Sequence, residues 1–363
     1  PAARLVVAAT ADGTGGDPTG AWHVFTIAVD GIDRRSAPGG SKLPGAATCP
    51  SLGCTARGLA LGLDGHGLWA TTDLWTPPAG DAAGASGVAP SSLVGPLAVG
   101  LSKAALKGGA PSRPPAVVLT GFPLWAAHGG LVPSVTEAWA SHDSRAGGSV
   151  YLAGVGDGRV GLWGVHGTAA LRDGLTATAD GASASARPSL PYPSPAPFLV
   201  ERTRAADNVP PALSAGIQRP SSLVLAGGDA GPAGATATTA APTAPLDPGA
   251  PRRLARAAWA DGALWLATSS PVFAGGLSPT LGTAYFVIRP DVGGRGLRSG
   301  GTAIDQSGWV AVDGAATLAP AIAVGKNSVA VLAFALASPA FEPGFAYATL
   351  AGGRGRGGPS AVK

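Results

Sequence analysis

Few side chains in this sequence of 363 residues can do chemistry: it holds five His, three Glu, two Cys and no Met. One stretch gathers several of them, with Glu137 and Trp139 just ahead of His142 and Asp143. A histidine beside a carboxylate is the pairing that moves protons in general acid–base catalysis. The competing reading is a solvated loop between strands, where polar residues collect without acting. Trp75, Trp125 and Trp139 lie near Pro- or Gly-rich stretches. An exposed ring there can stack on a sugar or anchor a protein partner; burial under a neighbouring loop is the alternative. Trp75, Trp125, Trp139, His142 and Asp143 are therefore the candidate ligand or interface residues. Cys49 and Cys54 frame Cys-Pro-Ser-Leu-Gly-Cys, in which Pro50 and Gly53 favour a tight turn. They form either a local disulfide, which suits an oxidising compartment, or two free thiols.

Other chemistries find less support. The histidines show no metal-ligand spacing, and two cysteines separated by four residues do not match the usual zinc pattern, so no metal or other cofactor is expected. No nucleophile elbow, phosphate-binding loop or dinucleotide fingerprint occurs. A glycosidase needs a pair of carboxylates, one of them acting as an acid. With three Glu, and several of the eighteen Asp in Asp-Gly turns, no such pair stands out. The formal net charge is +4, and Arg354, Arg356 and Lys363 at the tail supply three of the positive charges. The body is nearly neutral and offers no basic face for nucleic acid. No apolar run approaches the roughly 18 residues of a membrane helix.

Whatever these residues do, short strands must position them. Gly and Pro number 57 and 34, too many for long helices. Yet 45% of the residues are hydrophobic and charge is low, the opposite of a disordered composition. Arg outnumbers Lys by 20 to 5, a bias that GC-rich codons explain without invoking function. Apolar runs of strand length, bounded by Gly, Asp-Gly or Pro, recur from Arg4–Ala9 and Trp22–Val29 to Val329–Leu336 and Phe345–Leu350. One hairpin returns in variant form around Asp64-Gly65, Asp157-Gly158 and Asp261-Gly262, with Lys326-Asn327 in the fourth place. Asp-Gly supplies the positive φ angles of a two-residue hairpin turn. Trp69, Trp163 and Trp265 follow these turns, and with Trp22 and Trp309 they are expected in the core.

A degenerate hairpin repeated at irregular spacing suits a β-propeller, whose blades are sheets of four antiparallel strands. At roughly 40–50 residues a blade, the 363 residues make an all-β, single propeller of about seven blades, with six as the other count. Low-complexity inserts near 182–197 and 227–251 read as surface loops, with a linker between two domains as the competing reading. The propeller is assigned to 1–350 and a flexible Gly/Arg tail to 351–363. Arg4–Ala9 is expected to close the ring by pairing with Phe345–Leu350, which removes an open edge.

Several segments also carry a resemblance. They are Arg256-Ala-Ala-Trp-Ala-Asp-Gly-Ala-Leu-Trp, Thr283-Ala-Tyr-Phe-Val-Ile-Arg-Pro, Gly308-Trp-Val-Ala-Val and Phe341-Glu-Pro-Gly-Phe-Ala-Tyr-Ala, with Asp17-Pro-Thr-Gly-Ala-Trp and the two-cysteine segment. The sequence resembles secreted β-propeller-like proteins from GC-rich genomes, a group with no established activity. The resemblance implies the fold and secretion, and no catalytic residues. Pro1 in place of a Met start fits a processed chain or a fragment. The function expected is a secreted, non-catalytic scaffold or binding module. Its partner is another protein or a second copy, as in a structural subunit of an extracellular assembly or filament. The alternative is a carbohydrate-active enzyme or a glycan-binding lectin that uses the central funnel of the propeller.

Overall fold

The computed structural model describes residues 4–10, 22–28, 54–76, 93–108, 116–119, 122, 130–137, 140, 148–156, 159–173, 192–193, 198–200, 224–225, 254–272, 280–293, 296–297, 302–312, 315–338, 341–351 and 360–362. They are all-β, in several sheets, none of which closes on itself. Sheet 1 is the hairpin of β1 (Arg4–Thr10) and β2 (Trp22–Ala28). Sheet 2 is an antiparallel meander of β3 (Thr55–Leu63), β4 (Gly67–Trp75), β5 (Leu93–Ser102) and β6 (Ala116–Leu119). Sheet 3 follows with β7 (Leu131–Thr136), β8 (Ser149–Gly156) and β9 (Arg159–His166); the short β10 (Tyr192–Pro193) and β11 (Phe198–Val200) both pair with β9. Next comes β12 (Val224–Leu225), which joins the edge of sheet 4. Sheet 4 itself is a meander of β13 (Leu254–Ala260), β14 (Ala263–Val272) and β15 (Thr280–Arg289). A small hairpin of β16 (Val292–Gly293) and β17 (Gly296–Leu297) precedes its last strand, β18 (Ala303–Val312). Sheet 5 is β19 (Ala316–Val324), β20 (Val329–Ser338), β21 (Phe341–Ala351) and β22 (Ser360–Val362). The helices α1 (Lys103–Gly108) and α2 (Ala170–Asp173) are short, and no helix among the described residues is long and apolar enough to cross a membrane.

The sheets pack face to face in chain order. Strand side chains alternate between faces, and a face that is apolar must be covered. Phe25 of sheet 1 packs with Leu97, Val99 and Leu101 of sheet 2. Trp69 and Ala98, on the other face of sheet 2, meet Leu152 and Trp163 of sheet 3. Tyr151 of sheet 3 stacks on Trp259 of sheet 4 with ring centroids 4.8 Å apart, inside a core that includes Leu162 and Leu266. Trp265 and Tyr285 then meet Ile322, Leu332 and Phe334 of sheet 5. Sheets 2, 3 and 4 are three meanders of one continuous fourteen-stranded sheet, joined where β3 and β13 each pair with β7 in parallel. Strand β7 changes neighbours midway: Leu131–Pro133 pair with β8, and Ser134–Thr136 pair with β13. Pro133 has no N–H to donate, and it stands where the ladder is handed over.

The turns divide into two kinds. Ala260 pairs with Ala263, which leaves Asp261 at φ 50 and Gly262 at φ 73 as the expected two-residue turn. Gly156 pairs with Arg159 and leaves two residues, Asp157 and Gly158, themselves outside the described residues. The other two turns are longer than expected. β3 ends at Leu63 and β4 starts at Gly67, so 64–66 form the loop, and Asp64 Oδ1 accepts the amides of His66 at 2.7 Å and Gly67 at 2.5 Å. Lys326–Ser328 form a 3-10 turn, closed by the Gly325 amide donating to the Val329 carbonyl at 2.6 Å.

Two expectations are corrected. Arg4–Thr10 pairs with β2, and the far edge of β21 pairs with Ser360–Val362, so the two ends of the chain do not share a ladder among the described residues. A hairpin partner nearby in sequence costs less loop-closure entropy than one at the opposite end of the chain. Trp69, Trp163, Trp265 and Trp309 are buried as expected, whereas Trp22 is exposed, on a face of sheet 1 with no sheet opposite it among the described residues.

Candidate functional site

The densest group of polar side chains gathers where the β3–β4 loop meets the start of β8 and the end of β9. The loop is shaped by Asp64, whose Oδ1 caps two amides, leaving Oδ2 buried with no hydrogen-bond partner among the described residues. Lys103, at the start of α1, donates its ammonium to the Asp64 carbonyl, and its own amide donates to the His66 carbonyl at 2.9 Å. Burial pushes the Lys103 ammonium below its usual range, and the Asp64 charge offsets part of that. Across the gap, Ser149 and His166 are register partners on β8 and β9. Ser149 Oγ and His166 Nδ1 lie 2.9 Å apart. Thr168 Oγ1 and the His66 ring crowd Gly148: a Cβ there would stand 2.6 Å from the first and 2.7 Å from the second. Thr168 Oγ1 is buried and has no hydrogen-bond partner among the described residues.

A serine hydroxyl bonded to an imidazole is the first half of an activated nucleophile. Here the imidazole is 0% exposed and the serine is buried between strands. A reacting centre must be reached by substrate. This pair instead satisfies two buried polar groups, as buried polar groups in folded proteins are satisfied. Among the described residues no three His, Cys, Asp or Glu side chains come together to hold a metal ion.

Glu137, just past β7, is occupied as well. Its Oε1 accepts from Arg256 at 3.5 Å and from the Val324 amide at 3.4 Å, and its backbone amide donates to the Trp259 carbonyl at 3.3 Å. It therefore ties sheets 3, 4 and 5 together. Trp75 closes β4, half-buried, with the Arg57 guanidinium 5.2 Å from its ring centroid. Trp125, Trp139, His142 and Asp143 lie outside the described residues. Cys54 is buried beside Phe25 and Leu97 and is disulfide-bonded; Cys49 lies outside the described residues.

The accessible feature of the surface is apolar. Among the described residues the large exposed hydrophobic side chains lie on sheet 1, on β3 and on sheet 5. At the first end stand Val6, Trp22 and Val24 of sheet 1. Leu59, Leu61 and Leu63 are exposed on β3, where Leu63 pairs with Leu68. At the last end stand Val329 and Val331 of β20 and Phe345 and Tyr347 of β21, with Phe345 92% exposed. Sequence reading found these strands but gave no sign of which sheets would be terminal. No protein-family model, curated protein or solved structure matches the chain.

Proposed function

We propose that this protein is a secreted, non-catalytic scaffold of propeller-type blades that works as a binding module or a structural subunit of an extracellular assembly. One observation carries the reading: the buried Ser149–His166 pair and Glu137 are taken up in structural bonds, while large apolar side chains stand exposed on sheets 1 and 5 and on β3. In this reading the five stacked sheets are consecutive blades of the propeller expected from chain length, and their first strands line its axis. Support for the blade reading comes from the repeated meander and from the side-by-side placement of β3, β7 and β13. The proposal extends to secretion, for which the disulfide at Cys54 is the support, and to its closure onto Cys49 in a short loop.

The alternative, a glycan-active funnel, requires two carboxylates that converge on the axis with environments that separate their pKa values. The first strands β3, β7, β13 and β19 contain no Asp or Glu. A panel of chromogenic glycosides and soluble polysaccharides incubated with the full chain tests this. The scaffold reading expects no release of product, and time-dependent release would overturn it.

A further inference from the structure

We draw no further inference here: the strongest candidate, the buried cluster of Asp64, Trp69 and Thr168 beside the β3–β4 loop, holds polar atoms without a hydrogen-bond partner among the described residues, but it belongs to the site already described and nothing in the structure shows what meets them.

Discussion

Single residues decide how closely these sheets pack. Trp69 lies across from Gly100 in the β4–β5 ladder, and a Cβ at position 100 would stand 2.5 Å from the indole. Trp69 is fully buried and has nowhere to move, so Gly100→Ala should cost about 1–3 kcal/mol, as overpacked cores do. Gly262 gives the contrast. Its φ is 73 and nothing lies within 4 Å of a Cβ there, so Gly262→Ala should cost only the left-handed backbone, roughly 1–2 kcal/mol. Urea denaturation of both variants compares overlap with conformation. Part of the glycine content of the chain is thus room for aromatic rings, which composition alone could not distinguish from turns. Tyr285 carries a pH dependence. Burial raises its phenol above the ordinary 10.0, and a hydrogen bond from Gln306 offsets part of that. Below pH 10 both the folded and unfolded chains keep the proton. Above it the unfolded chain releases it first, so stability falls as pH rises through the folded value. Lys103 acts in the opposite sense: its folded value is lowered, so stability rises with pH from there up to 10.5. Tyr285→Phe should flatten the alkaline fall in melting temperature and leave the Lys103 contribution unchanged, which a melting series from about pH 9 to about pH 11 reads.

At the scale of elements, the hairpins were legible because their turns are local chemistry. Asp261 and Gly262 take the positive φ angles that their types allow, and the strands on either side follow the apolar alternation. The Asp64 turn was misread in length because its side chain accepts two amides and stabilises a wider loop than Asp-Gly needs. Besides the short β10, β11, β12, β16, β17 and β22, sequence reading missed β7, where Pro133 and Ser134 interrupt the alternation. Its placement depends on partners distant in sequence. Ser134 illustrates this, since its Oγ accepts the amide of Tyr151 on β8 at 3.1 Å. The candidate site was less legible than the fold. Ser149 and His166 come together only through the β8–β9 register, and nothing in their spacing announces it. Glu137 was noted for its neighbours His142 and Asp143, yet its described partners come from sheets 4 and 5. Glu137→Ala removes the acceptor shared by Arg256 and Val324 and should cost about 1–3 kcal/mol, the usual loss when a buried partner is left unsatisfied. Urea denaturation of the variant beside the wild-type chain checks the loss.

The described sheets form a series in which each touches mainly its neighbours in sequence. Stability in such a series is close to a sum of sheet and nearest-neighbour terms, as in repeat proteins. Sheets 2, 3 and 4 have a packed neighbour on both faces, and sheets 1 and 5 on one. Native-state hydrogen exchange should therefore open sheets 1 and 5 at lower free energy than the three between them. A single cooperative opening of all five would contradict this. The same order has a consequence during synthesis. Each face-to-face interface among the described residues joins a sheet to the described one translated before it, so a ribosome delivers each new sheet to a surface that is already formed. Residues 316–362, the last sheet, have no later segment to wait for among the described residues. Folding can keep pace with elongation, domain-like units settling as they emerge. What the nascent chain adds at each stage is an uncovered apolar face on its newest sheet, which waits for the next sheet to cover it.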